Sequence, residues 1–411
     1  MRSLSESRVA RYATVITVSW VLVAAAVSSP LITPDLQAIT GEFVVYALVC
    51  FIAFYLGFFL FQFETPIRQI PASPRALKNW MFALLIIGVS CRALDRFILR
   101  PVGDISLISS VREARLEGSN VASVIGALAP AFGVVLLAML ATRHLNRLEL
   151  LGARLIACVY LLDVLFTGSR GIVILIAILV FGIRVTLRSI LILGPVIVLA
   201  FGAFYILRFS QITGNGDELG IIVQSSVFGY AYFVPASPGV LPGLSTDWGQ
   251  IFLFPLVQLN QYSAHSIFEF AEVFRNAPST SFAPGELIPQ IPFLPRQEDD
   301  WFRAGVYYSL PGSLVLAFGT VWAPLASFFA GAWIGRTSRY ADELGGGTRT
   351  IMIVVVFGVP FVNTIGGFDL VFYLLAISLF AHVAIERAES QIPQLSHQSL
   401  AISINSRSRL R

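Results

Sequence analysis

Apolar stretches of roughly 17 to 25 residues recur along nearly the whole chain, and they constrain its fold more than any other feature. A helix of that length crosses about 30 Å of hydrocarbon, whereas the buried helices of soluble proteins are shorter. The pattern predicts an all-α, polytopic integral membrane protein of about ten transmembrane helices. The predicted helices are 12–32, 43–63, 80–99, 121–141, 150–167, 171–187, 189–207, 312–334, 349–365 and 367–385.

The charge content agrees with this prediction. Soluble domains carry about a quarter charged residues, whereas 13% of these 411 residues are charged and 56% are hydrophobic. The first apolar stretch follows three arginines, as in a signal peptide, but no small-residue cleavage site precedes the acidic loop after it. We therefore interpret it as a retained first helix.

Basic residues concentrate in alternate loops, which hold 17 of the 28. The positive-inside rule assigns these loops to the cytoplasm, and with an even number of crossings both termini are predicted to be cytoplasmic. The 17 residues are Arg2, Arg8, Arg11, Arg68, Arg75, Lys78, Arg143, Arg147, Arg184, Arg188, Arg336, Arg339, Arg349, Arg387, Arg407, Arg409 and Arg411.

The segment 208–308 holds nine acidic residues against four arginines, and its prolines exclude one continuous helix. We predict a large extracytoplasmic loop containing short helices, and loops of this size usually carry function. Within it, 262–275 has helical spacing and is expected to lie along the membrane surface, and 219–234 is predicted to be re-entrant or surface-packed. The chain thus divides into a seven-helix portion (1–207), the loop, a three-helix portion (309–388) and a disordered cytoplasmic tail (389–411).

Cysteine and histidine spacing argues against disulfides and a metal centre. The three cysteines are an odd set, all inside apolar runs, and the four histidines are scattered. We predict no metal and no cofactor.

The eleven remaining arginines are unusual, because all but Arg154 fall at or beyond the predicted outer interface, where the positive-inside rule expects few cations. The ten are Arg92, Arg96, Arg100, Arg112, Arg115, Arg170, Arg208, Arg275, Arg296 and Arg303. Guanidinium suits phosphate, so a pyrophosphate-linked lipid would explain them. The alternative is that they pair with outer carboxylates or extend to water.

Three of these arginines form a stripe on the third predicted helix. Arg92, Arg96 and Arg100 are spaced four residues apart, with Asp95 beside them, and stacked like charges require neutralisation. A salt-bridged structural stripe and a ligand-binding role are equally compatible with this spacing. On the fifth helix, Asp163 is costly to bury alone and is expected to meet an outer arginine.

The turn Gly168-Ser169-Arg170-Gly171 joins two predicted helices so tightly that glycine must supply the backbone angles. Its amides and Arg170 suit a phosphate oxygen, although a plain hairpin whose arginine extends to water explains it as well.

Two places offer a general base. His265 is the only histidine in a predicted outer segment and suits proton transfer from a sugar hydroxyl. The acidic run Glu298-Asp299-Asp300 is the other place. An ordinary polar surface histidine and a solvated acidic face are the alternatives.

These features together resemble the Wzy-type O-antigen and capsule polymerases (oligosaccharide repeat unit polymerases), and more distantly the O-antigen ligases. The turn 165–171 resembles the family's Gly-Ser-Arg turn, and the outer loop before the last three helices is similar to theirs. Within that loop, 291–296 resembles an Ile-Pro-Arg stretch ahead of Gly312-Ser313 and Phe318-Gly319. Ala264-His265 resembles the ligases' histidine motif, except that Ser266 replaces the usual asparagine.

The resemblance implies a metal-independent glycosyltransferase of a bacterial cytoplasmic (inner) membrane that polymerises undecaprenyl-diphosphate-linked oligosaccharides at the outer leaflet. Arg170 and Arg296 would hold the diphosphate. His265, Glu269 or Asp299 would deprotonate the acceptor. Further substrate contacts would come from Arg92, Arg96, Arg275, Arg303, Tyr232 and Trp301. A chain-length regulator and a flippase are candidate partners, and nucleic acid is not.

Three other functions compete with this one. A ligase that transfers a finished glycan would use the same leaving group and the same arginines. A flippase or transporter would use interior charges as a pathway, but transporters generally show repeated halves and short loops. A scaffold without catalysis would not need arginines concentrated on the outer face.

Overall fold

The computed structural model describes residues 2–63, 70–99, 120–141, 144–166, 180, 230–246, 248–288, 291, 294–295, 308–344, 346–365 and 370–385. Within these residues the architecture is helical, with one small sheet. The helices are α1 (Arg2–Val27), α2 (Gly41–Leu60), α3 (Pro74–Leu94), α4 (Val121–Leu140), α5 (Arg147–Phe166), α6 (Leu241–Leu244), α7 (Phe254–Asn276), α8 (Pro284–Leu287), α9 (Leu310–Leu344), α10 (Gly346–Gly358) and α11 (Leu370–Phe380). The strands are β1 (Ile70–Ala72) and β2 (Val383–Ile385).

Four helices in the described part of the chain are long and apolar enough to cross a membrane. They are Arg8–Val27 within α1, Gly41–Leu60, Val121–Leu140 and Leu310–Leu344. The helices 171–187 and 189–207 of the sequence analysis lie outside the described residues, apart from Val180. The all-α class is therefore confirmed, several helices are compatible with a membrane protein, and the number of ten crossings stays a prediction.

Several helix ends differ from the prediction. The first helix stops at Val27 rather than residue 32, because Ser28, Ser29 and Pro30 interrupt it. The predicted 367–385 helix ends at Phe380, and its last residues form β2, which pairs in parallel with β1. Pairing between residues more than 300 positions apart leaves no local signal in the sequence.

Close packing of α2 on α9 forms the most intimate contact of the bundle. A Cβ added at Gly331 would lie 2.0 Å from the carbonyl oxygen of Phe54, and one at Gly335 would lie 2.2 Å from that of Phe58. The reverse contact is equally tight, since a Cβ at Gly57 would lie 2.1 Å from the Phe328 carbonyl oxygen. Small residues let membrane helices approach to backbone contact, where van der Waals packing is strongest.

Helix α9 breaks at Gly319, whose φ of 79° and ψ of 169° lie outside the helical region. The segment 278–283 lies against this break. Its Ser281 and Ala283 amides donate to the carbonyl groups of residues 318 and 317, and its Pro278 and Ser279 carbonyl groups accept from residues 320 and 321. Bonds to this segment therefore replace the hydrogen bonds that the helix cannot make within itself at the break.

Helix α7 is largely buried within the bundle, and the expected position of 262–275 along a membrane surface stays a prediction. It begins earlier, at Phe254, and contacts both α1 and α9. Phe268, Phe270 and Val273 are buried, and Ser266 bonds the Pro360 carbonyl oxygen. An amphipathic pattern predicts one apolar and one polar face, but here the polar face is covered too.

The contacts sort the connecting segments into two groups, at opposite ends of the bundle. At one end Arg8 and Arg349 meet Asp342, and β1 pairs with β2. At the other end Ile32 bridges Ala236, and Asn363 bonds the Leu287 carbonyl oxygen. The first group contains loops that the charge pattern assigns to the cytoplasm. Which face of a membrane each end meets stays a prediction.

Candidate functional site

One face of α7 carries a row of polar side chains that the bundle buries. Gln258, Gln261, His265 and Glu269 follow one another at three- and four-residue spacing, so they share a face. Gln258 is 2% exposed and the other three are 0% exposed. Burying polar groups in an apolar bundle costs free energy, so a row of four is the strongest indication of a functional site among the described residues. We call these four residues the α7 polar row.

The two glutamines form its first half. The Gln258 side-chain amide donates to the Gln261 side-chain oxygen over 2.8 Å, and Gln261 in turn donates to the Val234 carbonyl oxygen over 2.9 Å. Val234 follows a short 3-10 turn, Tyr230–Tyr232, which packs against α7. The glutamines therefore tie the segment before α7 to the buried face of that helix.

His265 is held in one tautomer. Its Nδ1 lies 2.7 Å from the carbonyl oxygen of Tyr262, one turn earlier on the same helix. A carbonyl oxygen only accepts hydrogen bonds, so Nδ1 must carry the proton and Nε2 is the basic nitrogen of the neutral ring. The Tyr262 ring lies 5.6 Å from the imidazole, centroid to centroid. His265 is thus a buried side chain with a fixed orientation, not the surface histidine of the alternative interpretation.

Glu269 lies one turn after His265, about 6 Å further along the axis at 1.5 Å per residue. Residues four apart on a helix are neighbours, so a carboxyl group and an imidazole occupy adjacent positions on the buried face. A base and a carboxylate so placed are suited to take up and stabilise a proton.

Arg275 closes α7. It pairs with Glu272 over 2.7 Å and donates to the Ala38 carbonyl oxygen over 3.1 Å, and its side chain is half exposed. This arginine links α7 to the loop after α1, so part of its bonding capacity is structural. Tyr232, another predicted substrate contact, is 43% exposed in the turn beside α7.

The arginines of the stripe meet the carboxylate expected for them. Arg92 and Arg96 each lie 3.5 Å from a different oxygen of Asp163, which confirms that Asp163 pairs with arginines of this stripe. Arg92 also donates to the Gly126 carbonyl oxygen over 3.0 Å, and Asp95 accepts from Asn120 over 2.6 Å. These contacts join α3, α4 and α5, which favours the salt-bridged interpretation over a ligand site.

Five of the predicted site residues lie outside the described residues. They are Arg170, Arg296, Asp299, Trp301 and Arg303. Of the others, His265 and Glu269 share the α7 polar row, Arg275 and Tyr232 lie on and beside the same helix, and Arg92 and Arg96 form a separate cluster with Asp163.

Sequence reasoning missed Gln258 and Gln261. Their positions four and seven residues before His265 were the available signal, since this spacing extends the row by two helical turns. They were overlooked because the helix was predicted to begin only at residue 262.

Comparison of the chain with protein-family models, with curated proteins and with solved structures found no match.

Proposed function

We propose that this chain is a membrane glycosyltransferase that joins oligosaccharide units carried on undecaprenyl diphosphate into a polysaccharide of the O-antigen or capsule type, at the outer leaflet of a bacterial cytoplasmic membrane. The resemblance of its motifs supplies the reaction. The observation that carries the proposal is the buried His265, whose Nδ1–H bonds the Tyr262 carbonyl oxygen and whose Nε2 is thereby the base.

In the proposed reaction a hydroxyl oxygen of the acceptor sugar attacks the anomeric carbon of the donor. The bond from that carbon to the diphosphate oxygen breaks, and the lipid diphosphate leaves. Nε2 of His265 takes the hydroxyl proton, and the carboxylate of Glu269 stabilises the imidazolium that forms. Arg170 and Arg296 bind the leaving diphosphate and offset its charge without a metal.

Two features of the described residues support this role. Burying the α7 polar row costs folding free energy, which a bundle without a reaction has no need to spend. A reaction between sugars, by contrast, needs polar groups inside the bundle. An apolar cavity of about 500 Å³ borders α9, with Leu287, Phe318, Trp322 and Ile365 among its lining residues. A cavity with such an apolar lining suits part of a polyprenyl chain.

The decisive experiment replaces His265 by glutamine, which keeps a donor for Tyr262 but has no basic nitrogen. Removing a general base slows its reaction by about 100-fold to 10,000-fold. We expect surface glycans of a single repeat on a gel, with normal protein level and lipid-linked precursor in the outer leaflet. Arg170→Ala and Arg296→Ala should give the same pattern.

His382→Gln is a matched control. Its Nδ1 lies 3.0 Å from the Ser378 carbonyl oxygen in a similar local bond, but its side chain is exposed. Long chains should persist in this variant. Long glycan chains made by His265→Gln would refute the role of His265 as the base. Long chains made by both arginine variants would refute the polymerase mechanism. Precursor trapped in the inner leaflet would identify a flippase, and free polymer that is not transferred would identify a ligase.

A further inference from the structure

At the end of the bundle away from the α7 polar row, three arginines converge on one carboxylate. Arg8 Nε lies 3.1 Å from one oxygen of Asp342, while Arg11 Nη1 and Arg349 Nε lie 3.0 Å and 2.6 Å from the other. The Asp342 side chain is 6% exposed. We call these residues, together with Arg339 and Glu343, the Asp342 cluster, and it joins α1, α9 and α10.

Among the described side chains, the cluster holds more guanidinium groups than carboxylates. Arg339, three residues before Asp342 on α9, pairs with Glu343 over 3.4 Å. Its Nη1 is buried and has no hydrogen-bond partner among the residues that the structure describes. Four guanidinium groups thus face two carboxylates among the described side chains, an excess of two positive charges. A buried guanidinium N–H without an acceptor is costly, so an added anion would stabilise the cluster.

The position of the cluster indicates what kind of anion it meets. The apolar span of α1 begins at Arg8, so Arg8 and Arg11 lie in its first turn, at the boundary between hydrocarbon and headgroups. The side chains of Arg11 and Arg349 are 32% and 38% exposed, so a ligand can reach them. Lipid phosphates occupy this depth of a bilayer, and basic sites between helices at this level bind anionic headgroups.

We propose that the Asp342 cluster binds the phosphodiester of an anionic phospholipid in the leaflet at that end. The phosphate oxygens accept from the guanidinium N–H groups that Asp342 leaves over, and the headgroup charge offsets the excess of positive charge. The bound lipid then links α1, α9 and α10, because it neutralises the arginine charge that the two carboxylates leave uncompensated. This site is separate from the proposed reaction and stands without it.

The test measures thermal unfolding of the full-length protein in a neutral detergent, with phosphatidylglycerol, phosphatidylcholine or inorganic phosphate added. Of these three compounds, we expect only phosphatidylglycerol to raise the Tm. Arg349→Gln should bind this lipid about fivefold more weakly, the loss expected for one arginine near a membrane surface. Arg75→Gln, an exposed arginine at the start of α3 outside the cluster, should bind it as the wild type does.

Native mass spectrometry of the folded protein counts bound phosphatidylglycerol directly, so a lower starting Tm of Arg349→Gln does not obscure the result. Equal shifts with both lipids, full phosphatidylglycerol binding in Arg349→Gln, or equal weakening in Arg75→Gln would overturn the proposal. A shift of the same size with inorganic phosphate would show a site for a soluble anion and would overturn it as well.

Discussion

Two of the helices that contact α9, namely α2 and α7, pack against it in opposite ways. The contact with α2 is built from glycines and phenylalanines, with Gly331 and Gly335 against the backbone of α2. Helix α7 instead carries a buried row of glutamine, histidine and glutamate. The α2 contact thus consists mainly of small and apolar residues, whereas α7 buries a row of side chains that need hydrogen-bond partners.

The difference separates a part of the bundle that provides stability from the part for which we propose a chemical role. Backbone-to-backbone packing gains dispersion energy at every residue and exposes no polar group to hydrocarbon. A buried polar row reduces this stabilisation. Proteins tolerate such a loss of stability where the polar groups act on a substrate. Three substitutions test this distinction, in order of decreasing effect.

The largest effect is expected from Gly331→Ala in the α2–α9 contact. The new Cβ would lie 2.0 Å from the Phe54 carbonyl oxygen, so the two backbones must separate along their length. We expect a loss of about 3 kcal/mol, the upper part of the range for overpacking, measured as a lower Tm in detergent. Gly152→Ala on α5 is the control, because its Cβ would meet only Phe82, at 3.8 Å. Equal Tm values for the two variants would contradict the close contact.

An intermediate effect is expected from Gln261→Leu in the α7 polar row. This change removes the bonds with Gln258 and the Val234 carbonyl oxygen, and it leaves both groups buried. Each unsatisfied group costs about 1–3 kcal/mol, so we expect a loss of about 2 kcal/mol. Gln258→Leu is the comparison, since it removes only one bond and a buried oxygen that has no partner among the described residues. If Gln258→Leu lowered the Tm more than Gln261→Leu, the assigned bonding order would be wrong.

The smallest effect is expected from Glu149→Gln, outside both contacts. Glu149 pairs with Lys78 over 2.8 Å near the surface, and the hydrogen bond from Lys78 holds the pKa of the Glu149 carboxyl below its usual range. Glutamine keeps a side-chain acceptor for the Asn146 amide but loses the charge. Exposed ion pairs contribute little, so the Tm should fall only slightly at neutral pH.

The sign of its pH dependence follows from the lowered pKa. Because the folded pKa lies below the unfolded value, the ionised carboxylate stabilises the protein at neutral pH, and this contribution is lost as the pH falls through the folded pKa. The Tm difference between Glu149→Gln and the wild type should therefore shrink from about pH 6 to about pH 3. A difference that grew on acidification would contradict the Lys78–Glu149 pair.

Much of the fold could be predicted because apolar runs and charges are local signals. Helices α2 to α5 begin and end within a few residues of their predicted bounds, except that α3 starts six residues earlier, at Pro74. The cost of burying a lone aspartate predicted the pairing of Asp163 with arginines. Two of the segments that basic residues marked as cytoplasmic, the N-terminal one and the one after α9, meet at Asp342.

The interior position of α7 could not be predicted in the same way. A helix with one polar face has the same sequence pattern whether that face meets water or a buried site. Only the contacts with Val234 and Pro360, both distant in the chain from His265, distinguish the two cases. The roles of His265 and Glu269 in a reaction stay predictions that the substitutions above will decide.

The break in α9 at Gly319 has a consequence for where the bundle can open. Hydrocarbon offers no partners for backbone groups, so the interrupted turn is tolerated only while segment 278–283 supplies them. Moving this segment away from α9 would break four backbone hydrogen bonds at once. We therefore expect the segment to stay in place. Under the proposed function, an opening for the growing glycan would therefore have to form at another part of the chain.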